Sequence, residues 1–176
     1  MGLFSKKPKE PEYDAADCTV KKIRMREIFN GAVKDGSTYE ILYAYMSSSK
    51  YEKGFVFDTN TTSFFYYIVG FRRQDFSLVF VQVDAALQEY AEPFYVDMDN
   101  VVNVSYTPKV QQVCFQYKKG SPSYGELLNI GSTSAKTLYG PKNIHQPEEI
   151  EAFLNFAEGF RAVLEQNGYK LDKWKR

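Results

Sequence analysis

Along most of the chain, apolar and polar positions alternate in short runs, and only the last third changes period. Ile23 and Met25 alternate with Lys22, Arg24 and Arg26, which predicts a first strand starting near Cys18. Residues 39–46 and 55–57 read as further strands, and residues 58–62 (DTNTT) as a turn, because Asn and Asp bond their own backbone. Residues 64–71 (FFYYIVGF) are apolar on both faces, which predicts a strand in the middle of a sheet. Arg72-Arg-Gln-Asp75 turns the chain into residues 76–83, making a hairpin. Residues 84–91 are too short for a stable helix and read as a loop or single helical turn. Residues 94–98 follow as another strand. Val102, Val104 and Tyr106, and then Val113, Phe115 and Tyr117, repeat every second position, with a loop at 118–125 and a last strand or two across 126–139.

The period then becomes helical. Ile150, Phe153, Leu154, Ala157, Phe160 and Leu164 fall at i, i+3, i+4, i+7, i+10 and i+14, one face of an amphipathic helix over residues 147–167. Pro147 suits its first position, and Glu148 and Glu149 favour the positive end of its dipole. Asn167-Gly168 ends it, and Gly159 within it suggests close packing at a cost of about 1 kcal/mol against Ala. Such a stripe needs a sheet to cover. Strands about ten residues apart with turns between them predict a mainly β fold: an antiparallel sandwich or roll of about seven strands capped by the C-terminal helix.

Composition agrees. The chain has 176 residues, enough for a single domain, and holds 14 Phe and 14 Tyr, whose rings suit strands. Residues 1–16 are polar and aperiodic and read as a flexible tail, 17–168 as the domain, and 169–176 as a basic tail with Lys170, Lys173, Lys175 and Arg176. Lys plus Arg and Asp plus Glu both number 22, so no basic excess marks a nucleic-acid binder. Cys18 and Cys114, with no CxxC spacing, fit a reducing compartment. The N-terminus shows no secretory pattern, and Lys6 stands where a myristoylation signal wants Ser or Thr, so a cytoplasmic location is expected.

The whole pattern resembles the pleckstrin-homology-like (PH-like) fold, and more closely its small bacterial members. Asp99-Asn-Val-Val-Asn-Val-Ser-Tyr106 is similar to the segment where those chains enter the second sheet. Leu138-Tyr-Gly-Pro-Lys-Asn-Ile144, leading into Pro147-Glu-Glu-Ile-Glu-Ala-Phe153, is similar to their final strand and capping helix. The resemblance implies a scaffold without a catalytic centre or cofactor, which binds peptides, proteins or lipid headgroups and often forms homo-oligomers.

Candidate chemistry is sparse. His145 has no second histidine or cysteine near it for zinc, and Asp97-Met-Asp99 lacks the Gly and Glu of a calcium loop. No GxGxxG, Walker A, GxSxG or HExxH pattern occurs, which argues against a familiar enzyme class. Lys22, Arg24 and Arg26 would form a cationic row on one strand face. That row reads as a charge-blunted edge, an anion or lipid-headgroup site, or a site for an acidic protein. Tyr43, Tyr45, Tyr51, Tyr66 and Tyr67 are the second lead, since exposed tyrosines favour interfaces. Protein binding or self-association is the expected role, with anionic-membrane or lipid-headgroup binding as the alternative and an enzyme without a recognisable motif as a further one.

Overall fold

The computed structural model describes residues 12–53, 59–120, 125–171 and 174. The expected strand at 55–57, most of the N-terminal tail, and Lys173, Lys175 and Arg176 lie outside them. Seven antiparallel strands form one sheet in the order β4-β3-β2-β1-β7-β6-β5. They are β1 (Glu40–Glu52), β2 (Thr59–Arg72), β3 (Ser77–Val83), β4 (Phe94–Tyr95), β5 (Val101–Thr107), β6 (Gln112–Tyr117) and β7 (Gly125–Asn129). Helix α1 (Ala15–Ala32) precedes them and α2 (Pro147–Gln166) follows. The mainly β fold with a C-terminal helix is as the sequence pattern predicts.

Alternation along β1, β2 and β3 sends side chains to two covered faces. Leu42, Ala44, Val69, Phe71, Leu78 and Phe80 share a core with Val104, Val113 and Phe115 of the other half of the sheet, so the sheet rolls over on itself. Helix α2 closes that core with Phe153, Phe156, Ala157, Phe160 and Leu164. Burying each Phe contributes on the order of 2–3 kcal/mol. The opposite face, with Tyr43, Ile68, Val79, Val81 and Val83, is covered by Met25, Ile28 and Phe29 of α1.

Helix α1 is the main correction. The segment from Cys18 to Arg26 is not a strand. The Asp14 carboxylate accepts from the amides of Ala16 and Asp17 and caps the helix, and Asp17 pairs with Lys21 one turn on at 2.5 Å. Cys18, Met25, Ile28 and Phe29 are its buried positions, whereas Ile23, the apparent partner of Met25 in the alternation, is 56% exposed. Gly70 is where the helix meets the sheet, and the missing side chain leaves space that the Phe29 ring fills.

Other expectations shift by smaller amounts. Thr59 to Thr62 are not a turn but extend β2, pairing with Glu52 to Ser49 of β1. After β7 the chain is irregular up to α2, rather than making another strand. The expected hairpin turn at 72–75 holds through the Arg72 guanidinium, which donates to both Asp75 carboxylate oxygens at 3.0 and 2.6 Å. The predicted stripe of α2 is buried throughout, and it is joined by Phe156 and Arg161. Gly168 takes the left-handed φ of +87° expected of a helix stop.

Both predicted tails touch the fold where they are described. Tyr13 stacks on His145 at 4.3 Å. Tyr169, Leu171 and Trp174 pack on the core, and Trp174 lies under the buried Arg161 guanidinium at 5.1 Å.

Candidate functional site

The three cations of the predicted row do not share a face, because residues two apart on a helix point about 200° from each other. Lys22 and Arg26, four apart, line a cleft of about 300 Å³ between α1, β1 and the start of α2. Its apolar lining is Met25, Ile41, Leu42 and Phe71, and Glu40 and Glu149 lie at the same cleft. Lys22 Nζ bonds Glu149 Oε1 at 2.6 Å. Arg26 Nη1 donates to the carbonyls of Tyr39 and Gly36 at 3.0 and 3.4 Å, and burial holds its pKa down. Arg24 points away, donating from Nε to the Leu87 carbonyl at 3.1 Å and from Nη1 to Glu27 at 3.3 Å. All three cations therefore fasten α1 to neighbouring segments instead of standing in a row on one strand face.

Gln146, which sequence reasoning missed, also lines this cleft. Its side chain is 1% exposed. The amide oxygen accepts from Tyr43 N at 2.8 Å, and the amide nitrogen donates to the carbonyls of Tyr43 and Ile130 at 2.8 and 3.0 Å. Strand β7 pairs with β1 only through Asn129 and Tyr45. The Gln146 amide therefore supplies the bonds that a longer β7 would have made to β1. No sequence signal marks it, since a Gln before Pro-Glu-Glu looks like any residue ahead of a helix.

The tyrosine lead divides. Tyr43 is buried at 1% exposure, and burial pushes its phenol well above the usual range. Tyr67 is half-buried on the opposite sheet face. Tyr45 and Tyr66 join Phe64, Leu138 and Tyr139 around a depression of about 220 Å³ at the base of the β1–β2 hairpin. Tyr139 stacks on Phe64 at 4.9 Å, and Leu138 is 85% exposed. Gly140, at φ +85°, brings this loop onto Tyr66, since a Cβ there would stand 2.6 Å from the Tyr66 ring. Burial, followed by the neighbouring Tyr139, raises the Tyr66 phenol.

Beyond this patch the hairpin leaves the sheet. Residues 46–52 of β1 pair with 59–65 of β2, while β3 begins pairing only at Tyr66 and β7 reaches only Tyr45. Among the described residues, no third strand lines either edge of this ribbon, which is roughly 20 Å long. Its side chains are mostly Ser, Thr and Asn, with Tyr51 62% exposed.

The described residues contain no group of three or more His, Cys, Asp or Glu placed to hold a metal, and no helix long and apolar enough to cross a membrane. Cys18 and Cys114 are both free thiols. No family model, curated protein or solved structure matches the chain.

Proposed function

We propose that this chain is a non-enzymatic PH-like interaction module, and that it self-associates through the β1–β2 ribbon and the aromatic patch at its base. Seven antiparallel strands with a C-terminal helix in the core support the PH-like reading, and α1 is an addition to that pattern. The ribbon carries the functional reading. Isolated two-stranded hairpins are marginally stable in water, and each open edge offers unpaired amides and carbonyls to another strand. A second copy of the same ribbon provides matching donors and acceptors antiparallel to the first. Phe64, Leu138 and Tyr139 add the apolar and aromatic surface that interfaces favour.

Sedimentation velocity over a wide concentration range tests this. The mass should rise above 20.3 kDa with concentration, while a Leu138→Glu, Tyr139→Glu double variant should stay at the monomer value. Both side chains are largely exposed, so the variant should fold normally. A wild-type chain that sediments as a monomer at every concentration would refute self-association.

A further inference from the structure

A different cavity opens on the other face of the sheet, where β1 and β7 part after their single pairing at Tyr45 and Asn129. It has a volume of about 220 Å³, and its wall includes Met46, Tyr67, Phe80, Phe94, Glu92 and Glu126. Three of these are aromatic rings on three consecutive strands. Tyr67 and Phe80 have centroids 5.8 Å apart, and Phe80 and Phe94 6.1 Å apart. Phe80 is buried and Phe94 is 51% exposed, so the row of rings runs from the core out to solvent. The polar wall includes two carboxylates, and among the described residues no Lys, Arg or His lines the cavity.

The charge of such a wall is one-sided. Aromatic faces carry the negative part of the ring quadrupole, and the two carboxylates add to it in a partly dry setting. A hard metal ion fits poorly, since it needs six or more oxygen ligands, not two carboxylates among rings. An anion would be repelled. The matching chemistry is a cation with an apolar surface.

We infer that this cavity binds an alkylammonium group, with the Tyr67, Phe80 and Phe94 rings around its methyl or methylene surface and the Glu126 carboxylate as its counter-ion. Burial pushes the Glu126 carboxyl upward, although the Tyr117 hydroxyl donates to Oε1 at 3.4 Å and partly opposes this. The proximity of Glu126 also raises Tyr67 and Cys114, secondary to their burial. A bound ammonium supplies a countercharge to the Glu126 carboxylate. The ligand can come from two sources, a free small ammonium compound or a lysine side chain on a partner. The site does not depend on the ribbon and stands or falls separately from self-association.

The test is an amide-resolved NMR titration of the full chain with choline chloride, with its neutral isostere 3,3-dimethylbutan-1-ol, and with sodium chloride as the ionic control. Choline should shift resonances around Tyr67, Phe80, Phe94 and Glu126, and the alcohol should bind about tenfold more weakly. Glu126→Gln should weaken choline about five- to tenfold, and Phe94→Ala about threefold. If Glu126→Gln disturbs amides far from the cavity, the exposed Phe94→Ala and the choline-to-alcohol ratio carry the test. Equal binding of alcohol and choline, or no shift at the cavity, would overturn the inference. Ten times tighter binding of a trimethyllysine peptide than of choline would support the site and identify a partner's lysine as the source. Equal affinity would support it with a small free ammonium as the source.

Discussion

Replacing Gly70 by alanine tests how α1 is seated on the sheet. A Cβ at this position would lie 2.0, 2.6 and 2.9 Å from Cζ, Cε2 and Cε1 of Phe29. Carbon atoms in contact normally stand 3.5–4.0 Å apart, so the ring must retreat by roughly 1.5 Å. It has nowhere easy to go, because Phe29 is fully buried and meets Tyr39 edge-on at 5.8 Å. Overpacking of this kind costs about 1–3 kcal/mol, and complete loss of a buried Phe costs about 3–5. Alanine recovers about 0.5–1 kcal/mol of chain entropy relative to glycine. The expected net loss for Gly70→Ala is about 2 kcal/mol, read as a lower urea midpoint at unchanged slope.

The decisive measurement is the double-mutant cycle with Phe29→Ala. Alone, Phe29→Ala should cost about 3–4 kcal/mol. With the ring gone, Gly70→Ala should cost nothing or stabilise slightly, so that the pair couples by about 2 kcal/mol. A Gly70→Ala cost below about 0.5 kcal/mol, or one unchanged by removing the ring, would refute the packing of α1 onto β2.

Other positions give further checks. Gly159 lies within α2 with its nearest Cβ neighbour, the Phe76 ring, at 3.5 Å, an ordinary contact; Gly159→Ala should therefore raise stability by up to about 1 kcal/mol in urea unfolding. Gln146→Leu leaves the Tyr43 amide and two carbonyls unpaired in the core and should cost about 3 kcal/mol by the same assay. Burial raises the Glu126 carboxyl, so the folded state holds its proton more tightly than the unfolded state does. Stability then falls as pH rises from the unfolded value through the folded one, and thermal melts of Glu126→Gln should lack that fall. Asp75 has the opposite sign: the Arg72 bonds hold its carboxyl well below the usual range. Its contribution is present above the unfolded value and disappears as pH drops, so Asp75→Asn should flatten the acid limb of the melting curve.

The C-terminal helix was legible because its stripe is strict and every predicted position is buried. Helix α1 was not, because its apolar residues do not sort by face. Val20 and Ile23 are 65% and 56% exposed, while Cys18, Met25, Ile28 and Phe29 are buried. Over residues 22–26 this mixture imitates a strand's alternation. The helical signals were there: Asp14 ahead of Ala15-Ala16, and the Asp17–Lys21 pair. A further clue lay in β2, whose run apolar on both faces called for a cover on each side; α2 accounts for one and α1 for the other.

The same helix also accounts for the three cations of the predicted row. With Lys22, Arg24 and Arg26 tied to Glu149, Leu87, Glu27 and the 36–39 turn, the residue types singled out in the sequence act as fasteners. Residue type could not show this, because a lysine on an open strand and one bridging two helices look identical in a sequence. Gln146 and Glu126 were hidden for the related reason that each matters only through where β7 stops. Strand β7 leaves β1 after one pairing, and two consequences follow. The Gln146 amide fills the vacated bonds on one side of that point, and on the other the sheet opens into the aromatic cavity beside Glu126. Helices α1 and α2 cover the two faces of β1–β3 over the core, whereas the ribbon beyond Tyr45 and Tyr66, its aromatic base and that opening lie outside this cover.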